Sequence, residues 1–339
     1  MNSLAQPSIN YLDIERIKQR IYAQVNPDLE RIEAEISRHL TTSVPLVAVV
    51  GRHILASGGK RLRPLLMIQA ARLCGYRGNH DATLAIVFEY LHAATLLHDD
   101  VVDNAEFRRN NPAANVMWGN PAVVLVGDFL YSKSILLTVG YNNIRILQVL
   151  SEATTKMAEG EVLQLINADN LEIDESEYLE VIVRKTAVLI SAACQVGAIF
   201  GGGSATQEEA LRAYGHHLGI AFQLVDDTLD FTGKWEELGK PIGNDVQEGK
   251  ATLPLIHTMY HCLPEEKEQI RKIFSADKIL PKDFERVRDL VIRTGGIDRT
   301  MRLAIQHVEQ AKEGLQMFPD SPTKDILLDI ADYVVYRRI

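Results

Sequence analysis

The sequence predicts an all-α protein, a single large helical bundle around a central cavity. Apolar residues recur with the helical period over long segments, and alternating apolar/polar runs bounded by hairpin turns are missing. Several segments, VVLVGDFLYSKSILLTVG and KTAVLISAACQVGAIF among them, are apolar nearly all round, as helices in the middle of a bundle are. No linker divides the 339 residues, of which 46% are hydrophobic, so one domain is expected over 1–339.

Taken in order, the periodicity places helices at 11–24, 28–40, 44–57, 62–74, 81–101, 120–139, 144–168, 175–200, 207–232, 252–262, 264–274, 281–293, 297–317 and 322–337. Turn chemistry separates them. Asn26-Pro27 parts the first two, Gly58-Gly59 ends the third, and Gly75 to Asn79 ends the fourth. Asn110 to Pro112 breaks the chain after the fifth, and Pro319 to Pro322 precedes the last. The triple glycine at 201–203 reads as a helix stop, because no GK[ST] makes it a phosphate loop. The longest irregular stretch is 233–250, GKWEELGKPIGNDVQEGK, whose length suits a lid or binding loop.

Bulk properties exclude several functions. The net charge is −9 and no basic stripe appears, so nucleic acid is not an expected partner. Three scattered cysteines, Cys74, Cys194 and Cys262, argue for a reducing compartment and against a disulfide framework. The N-terminus lacks the charged start and apolar core of a secretory signal, and no run of about 20 uncharged apolar residues is expected to span a membrane. His257 and His261 have the spacing of a helical zinc pair, but the glutamate of HExxH and a third ligand are missing.

The chemistry concentrates in two stretches. LHAATLLHDDVVDNAEFRRNN, 91–111, ends an apolar helical run with His98, Asp99, Asp100 and Asp103, followed by Arg108 and Arg109. On a helix Asp99 and Asp103 share a face, with His92 two turns earlier on it. Carboxylates this close need a cation between them, and hard oxygens suit Mg2+, which takes one or two protein carboxylates plus phosphate oxygens. The arginine pair is an anion fork. FQLVDDTLDF repeats the spacing at Asp226, Asp227 and Asp230, again after an apolar helical run. GGKRLRP, 58–64, sets Lys60, Arg61 and Arg63 behind two glycines at a helix start, a second place for an anion. Lys185 and Thr186 lie inside an apolar helix and so need a partner or a polar cavity. Gln223 shares the face of Asp226.

Together these residues resemble the trans-type polyprenyl diphosphate synthases, the head-to-tail prenyltransferases. The landmarks run from about Val44 onward: GGKRLRP, LLHDDVVDNAEFRR, GNPAVVLVGDFL, EGEVLQL, Lys185-Thr186, FQLVDDTLD and LGKPIGNDVQEGKATLPL. EGEVLQL and HDDVVD are most similar to the long-chain octaprenyl type, which makes quinone side chains. The first 40 or so residues match less clearly.

The resemblance implies the following roles. Asp99 and Asp103, supported by Asp100, bind Mg2+ bridging an allylic diphosphate; Asp226 holds a further Mg2+, with Asp227 and Asp230 nearby, three ions in all. Arg108, Lys185, Lys240 and Lys250 touch the allylic diphosphate, which is expected to be farnesyl diphosphate. Lys60, Arg63, His92 and Arg109 bind isopentenyl diphosphate. Thr186, Gln223 and the Lys185 carbonyl face the cation formed when the allylic C–O bond ionises. Ala94 and Thr95 lie one turn below Asp99, where short-chain relatives carry aromatic side chains. Their small size implies a product of C35 to C45, C40 first. The family also implies a cytoplasmic homodimer, loosely associated with membranes for product release. A class I terpene cyclase would not need the isopentenyl diphosphate site, and a non-catalytic partner subunit tends to lose the acidic motifs kept here. A plain helical scaffold leaves the basic residues unexplained, and a C15–C20 synthase remains the nearest enzymatic alternative.

Overall fold

The computed structural model describes residues 11–108, 111–233, 243–276 and 279–337. Each long periodic segment forms a helix: α1 Tyr11–His39, α2 Pro45–Ala56, α3 Leu62–Leu73, α4 Asp81–Val102, α5 Ala114–Trp118, α6 Asn120–Val139, α7 Ile144–Ile166, α8 Glu175–Ile182, α9 Val188–Phe200 and α10 Ala205–Thr232. A one-turn helix, Asn244–Gln247, and the helices Leu253–His261, Pro264–Phe274, Pro281–Thr294, Gly296–Leu315 and Pro322–Tyr336 follow. The strand content among the described residues is one antiparallel pair, Phe107–Arg108 with Asn111–Pro112.

Three expectations change. The helices expected at 11–24 and 28–40 are one helix that runs through Pro27. Burial of Val25, Ile32 and Ile36 on either side holds its halves in line, and the buried Asp28 receives Arg72 and Arg31. These contacts outweigh the loss of one backbone donor. The helix expected at 175–200 is α8 and α9 joined by a π-helical turn, Val183–Ala187, which carries Lys185 and Thr186. Two short helices, α5 and Asn244–Gln247, were not foreseen; each is too short to show a period.

Two cores lie side by side. One gathers α10 with Gly296–Leu315 and Pro322–Tyr336 around Leu218, Leu224, Val308 and Leu327. The other gathers α4 with α6 around Leu84, Phe88, Val126 and Leu130. Helices α3 and α9 stand between them and give residues to both: Leu66 and Ile190 to the first, Ile68 and Leu189 to the second. Each fully buried side chain of this size contributes about 1.5–3 kcal/mol. Buried tyrosine hydroxyls still find acceptors, Tyr90 at Ile36 O (2.8 Å) and Tyr214 at Leu327 O (2.8 Å). The C-terminal ends of α4 and α10 meet one cavity.

Two helices, Asn120–Val139 and Glu175–Phe200, are long and apolar enough to cross a membrane by length and composition, though neither is an uncharged run: the first carries Asp128 and Lys133, the second Arg184 and Lys185. The second is 67% buried inside the protein, as a core helix is, whereas Asn120–Val139 is only 33% buried.

Candidate active site

Both acidic motifs end helices, and that placement is unfavourable by itself. A helix C-terminus carries partial negative charge, and neither α4 nor α10 has a basic residue in its last turn to offset it. The compensating cations come from elsewhere in the chain. Lys185 Nζ lies 3.9 Å from Asp99 Oδ2 and 2.6 Å from Glu161 Oε2. Lys250 Nζ lies 3.3 Å from Asp103 Oδ2 and 2.6 Å from Glu248 Oε2. Arg337 reaches Asp226 and the carbonyl of Phe222, with its guanidinium 4.0 Å over the Phe222 ring. Arg108 pairs with the fully buried Asp100.

The cavity of about 750 Å3 between the two motifs is lined by Lys60, Arg63, His92, Thr95, Asp99, Glu161, Lys185, Thr186, Gln223, Asp226, Asp227, Asp230 and Arg337, with Tyr22 and Phe222 at one side. The basic Lys60–Arg63 rim thus faces the acidic helix ends. Arg61 also borders the cavity, but its side chain is committed elsewhere. It sits in the left-handed region (φ 48°) and its side chain is buried against Glu33, Glu89 and Leu55 O, a joint between α1, α3 and α4. Arg108 and Asp100 form a pair beside the cavity. Lys250 lines a smaller pocket of about 160 Å3 behind Lys185 and Thr186. Arg109 and Lys240 lie outside the described residues.

Burial dominates the electrostatics of the cavity. Burial, with Glu161 and Asp103 adding to it against Lys185, pushes the Asp99 carboxyl up to about 6. Burial and Asp245 push Asp227 up to about 8, although Tyr178 and Gln223 hold it back. Lys60 is pulled down to about 8 by burial and by Arg337. Burial alone would lower Lys250, but Glu248 and Asp103 outweigh it and raise it. Among the described residues no three histidine, cysteine or carboxylate side chains converge on one point. The donors fit Mg2+ in one way: one or two hard carboxylate oxygens per ion, completed by diphosphate oxygens. His257 Nε2 lies 3.2 Å from Thr294 O, so that pair is committed to the fold.

The π turn is held from both sides. A Cβ on Gly160 of α7 would stand 2.9 Å from Lys185 N, and one on Gly219 of α10 would stand 2.5 Å from Ala187 Cα. The absence of side chains there lets two helices clamp the turn that presents Lys185 and Thr186. Thr186 Oγ1 donates to Gln223 Oε1 (2.9 Å), and Gln223 Nε2 donates to Asp227 Oδ1 (2.8 Å).

A second, more apolar cavity of about 1130 Å3 runs past Leu91, Val102, Tyr131, Val162, Leu165 and Ile166. Thr95, Asp99, Met157 and Glu161 line both cavities, so this is where they meet. Ala94 was expected beside Thr95 at that point. It is 2% exposed and packs in the α4–α6 core, and only Thr95 reaches the cavities.

Sequence reasoning missed Glu161, Tyr178 and Arg337. Glu161 stood inside EGEVLQL and Tyr178 precedes Lys185 by seven residues, two helical turns, so both carried a weak signal. Arg337 carried none, since only the packing of the terminal helix brings it to Asp226.

The profile described as Polyprenyl synthetase matches residues 44–291. The chain is 41% identical to the octaprenyl diphosphate synthase of Escherichia coli (strain K12) over 310 residues, 91% of this chain and 96% of that one. It is 38% identical to an all-trans-nonaprenyl-diphosphate synthase (geranyl-diphosphate specific) of Rhodobacter capsulatus over 321 residues, 94% and 98% of the two chains. Among solved structures it resembles a polyprenyl synthase from Caulobacter crescentus CB15 complexed with calcium and isoprenyl diphosphate: TM-score 0.91, 41% identity, 95% of this chain and 98% of that one.

Proposed function

The chain belongs to the polyprenyl synthetase family and is a long-chain trans-prenyltransferase, and from that premise we propose the following reading of its site. The enzyme adds isopentenyl diphosphate repeatedly to farnesyl diphosphate and makes an all-trans C40 diphosphate for a quinone side chain. One observation carries this: two acidic helix ends and a Lys60–Arg63–His92 rim share one cavity, and a larger apolar cavity opens from it at Thr95.

The allylic diphosphate sits at Asp99, Asp103 and Asp226, approached by Lys185 and Lys250, and by Lys240 and Arg108 once the latter leaves Asp100. Isopentenyl diphosphate sits on Lys60, Arg63, His92 and Arg109. Three Mg2+ ions at the two motifs would supply the positive charge against which the allylic diphosphate leaves. Lys185 holds the departing oxygens, while the oxygens of Thr186 and Gln223 face the allylic carbons and stabilise the positive charge there. The isopentenyl double bond attacks the allylic carbon, and the proton then lost passes to the released diphosphate. Water is kept from the cation by the apolar neighbours Leu189, Ile190 and Phe222.

The catalytic unit is a cytoplasmic homodimer. Its contact face is the exposed apolar side of α6, with Leu125 66%, Leu136 64% and Val139 54% exposed, continued by Ile144 at 78%. Free cysteines suit a reducing compartment, and the finished chain is insoluble enough that release would be loosely associated with a membrane.

The test is to incubate purified protein with farnesyl diphosphate, labelled isopentenyl diphosphate and Mg2+ and size the products. A dominant C40 product is expected; products no longer than C20 would overturn the long-chain assignment of this cavity.

A further inference from the structure

We propose that Asp227, the second aspartate of the second motif, works with Tyr178 as a positioning pair that sets the polarity of the cation-facing groups, and is not a metal ligand. This rests on the prenyltransferase reading and deepens it.

The hydrogen bonds form one chain with one direction. Tyr178 is 4% exposed and donates its hydroxyl to Asp227 Oδ2; Asp227 is 2% exposed. Gln223 Nε2 donates to the other oxygen, Oδ1, at 2.8 Å. With both Asp227 oxygens accepting, one from Tyr178 and one from Gln223, the Gln223 amide keeps its NH2 turned inward. The Gln223 carbonyl oxygen then faces Thr186, 2.9 Å away, and Thr186 must donate to it. The Thr186 hydroxyl proton is thereby used up, and its remaining lone pair is free to point into the cavity. Without the anchor the Gln223 amide can flip, Thr186 can turn its proton outward, and a positive dipole end would meet the allylic cation. Both Asp227 oxygens are engaged by protein donors, unlike Asp226, whose side chain is 40% exposed and whose partner is the cavity-lining Arg337. Tyr178 itself lines the smaller pocket behind Lys185 and not the cavity between the two motifs.

The experiment compares wild type with Tyr178→Phe, Thr186→Val and their double variant. It measures the single-turnover rate of the first condensation, KM for both diphosphates, and calorimetric binding of the unreactive thio analogue of farnesyl diphosphate with Mg2+. Tyr178→Phe releases Oδ2 and lets the Asp227 side chain turn away from Gln223, and it is expected to slow condensation about 10- to 100-fold, the effect of one lost buried hydrogen bond. Its KM values and its Mg2+-dependent analogue binding are expected to stay within about twofold of wild type, as a group acting only on the transition state should leave them. Adding Thr186→Val should cost little more than either change alone, since both act through one chain of bonds. Asp227→Asn provides the second arm should Tyr178→Phe fold poorly: analogue and Mg2+ affinity retained, rate lost. A wild-type rate in Tyr178→Phe, losses that multiply in the double variant, or Mg2+ affinity falling with the rate in Asp227→Asn would overturn the proposal. A wild-type protein that performs no condensation would instead overturn the prenyltransferase reading on which it rests.

Discussion

At the scale of single residues, the acidic motifs divide their labour, and this was only half legible in the sequence. Spacing put Asp99 and Asp103, and Asp226 and Asp230, on shared faces, but spacing treats all three aspartates of a motif alike. The fold separates them. Asp99 and the three aspartates of the second motif line the cavity, but Asp100 is buried on Arg108, Asp227 is bound to Tyr178 and Gln223, and Asp230 accepts the Asp245 backbone N–H (3.1 Å) and so fixes the chain after the second motif. Asp99→Ala or Asp226→Ala is therefore expected to lower turnover by several orders of magnitude with an unchanged circular dichroism spectrum; near-normal turnover in either folded variant would remove the proposed clamp. Asp99 also gives a pH signature. Its folded-state value, about 6, lies above the ordinary 3.8, so the metal-free fold holds a proton that the unfolded chain has lost. That stabilisation is complete below about pH 4 and is lost as pH rises through about 6. Metal-free Asp99→Asn is expected to match wild type near pH 4 and to melt above it at pH 7.5. A difference independent of pH would show that burial does not strain this carboxylate.

At the scale of elements, the unit that matters most is the π turn Val183–Ala187, and nothing in the one-dimensional pattern reveals it. KTAVLISAACQVGAIF reads as continuous apolar helix, because a single wide turn shifts the period too little to see. The clamp that holds it, Gly160 against Lys185 and Gly219 against Ala187, is legible only as two glycines in helical segments. Gly160→Ala would place a Cβ 2.8 Å from Arg184 Cβ and 2.9 Å from Lys185 N. Overpacking of this kind costs about 1–3 kcal/mol. A melting point lower by several degrees is expected, with turnover falling further than stability alone explains, because Lys185 and Thr186 move with the turn. A variant that melts lower yet keeps full turnover would mean the turn has slack. On α4 the relevant position is Thr95, whose side chain lies where the two cavities meet. Thr95→Phe is expected to shorten the product to C15–C20 on chromatography, while Ala94→Phe, in the packed core, should chiefly destabilise. The sequence pointed to this turn of the helix but could not tell which neighbour faced inward, since both are small and one residue apart.

At the scale of the whole molecule, the bundle solves the diphosphate problem but leaves the hydrocarbon problem open. Fold class, helix order and the pairing of the motifs followed from periodicity and from the repeated aspartate spacing; the surface of α6 did not, because an apolar helix reads the same whether it faces a core or a partner. Here it faces outward. The larger cavity, which Tyr131, Val162, Leu165 and Ile166 line, is open to solvent on this side in a single chain. Each methylene left in water forgoes about 0.8 kcal/mol, so a chain of many isoprene units growing along that groove needs a cover. A second copy laid against α6 would provide one and would bury Leu125 and Leu136 as well. Light scattering should then report twice the chain mass of 37.9 kDa, and Leu125→Lys with Leu136→Glu should report the single mass. The stronger expectation concerns chemistry. The monomeric variant should still perform the first condensation, because each clamp is built from one chain, but its product distribution should shift to shorter chains. A monomer that still makes C40 as its main product would show that the groove is closed within one chain and that the apolar face serves another purpose.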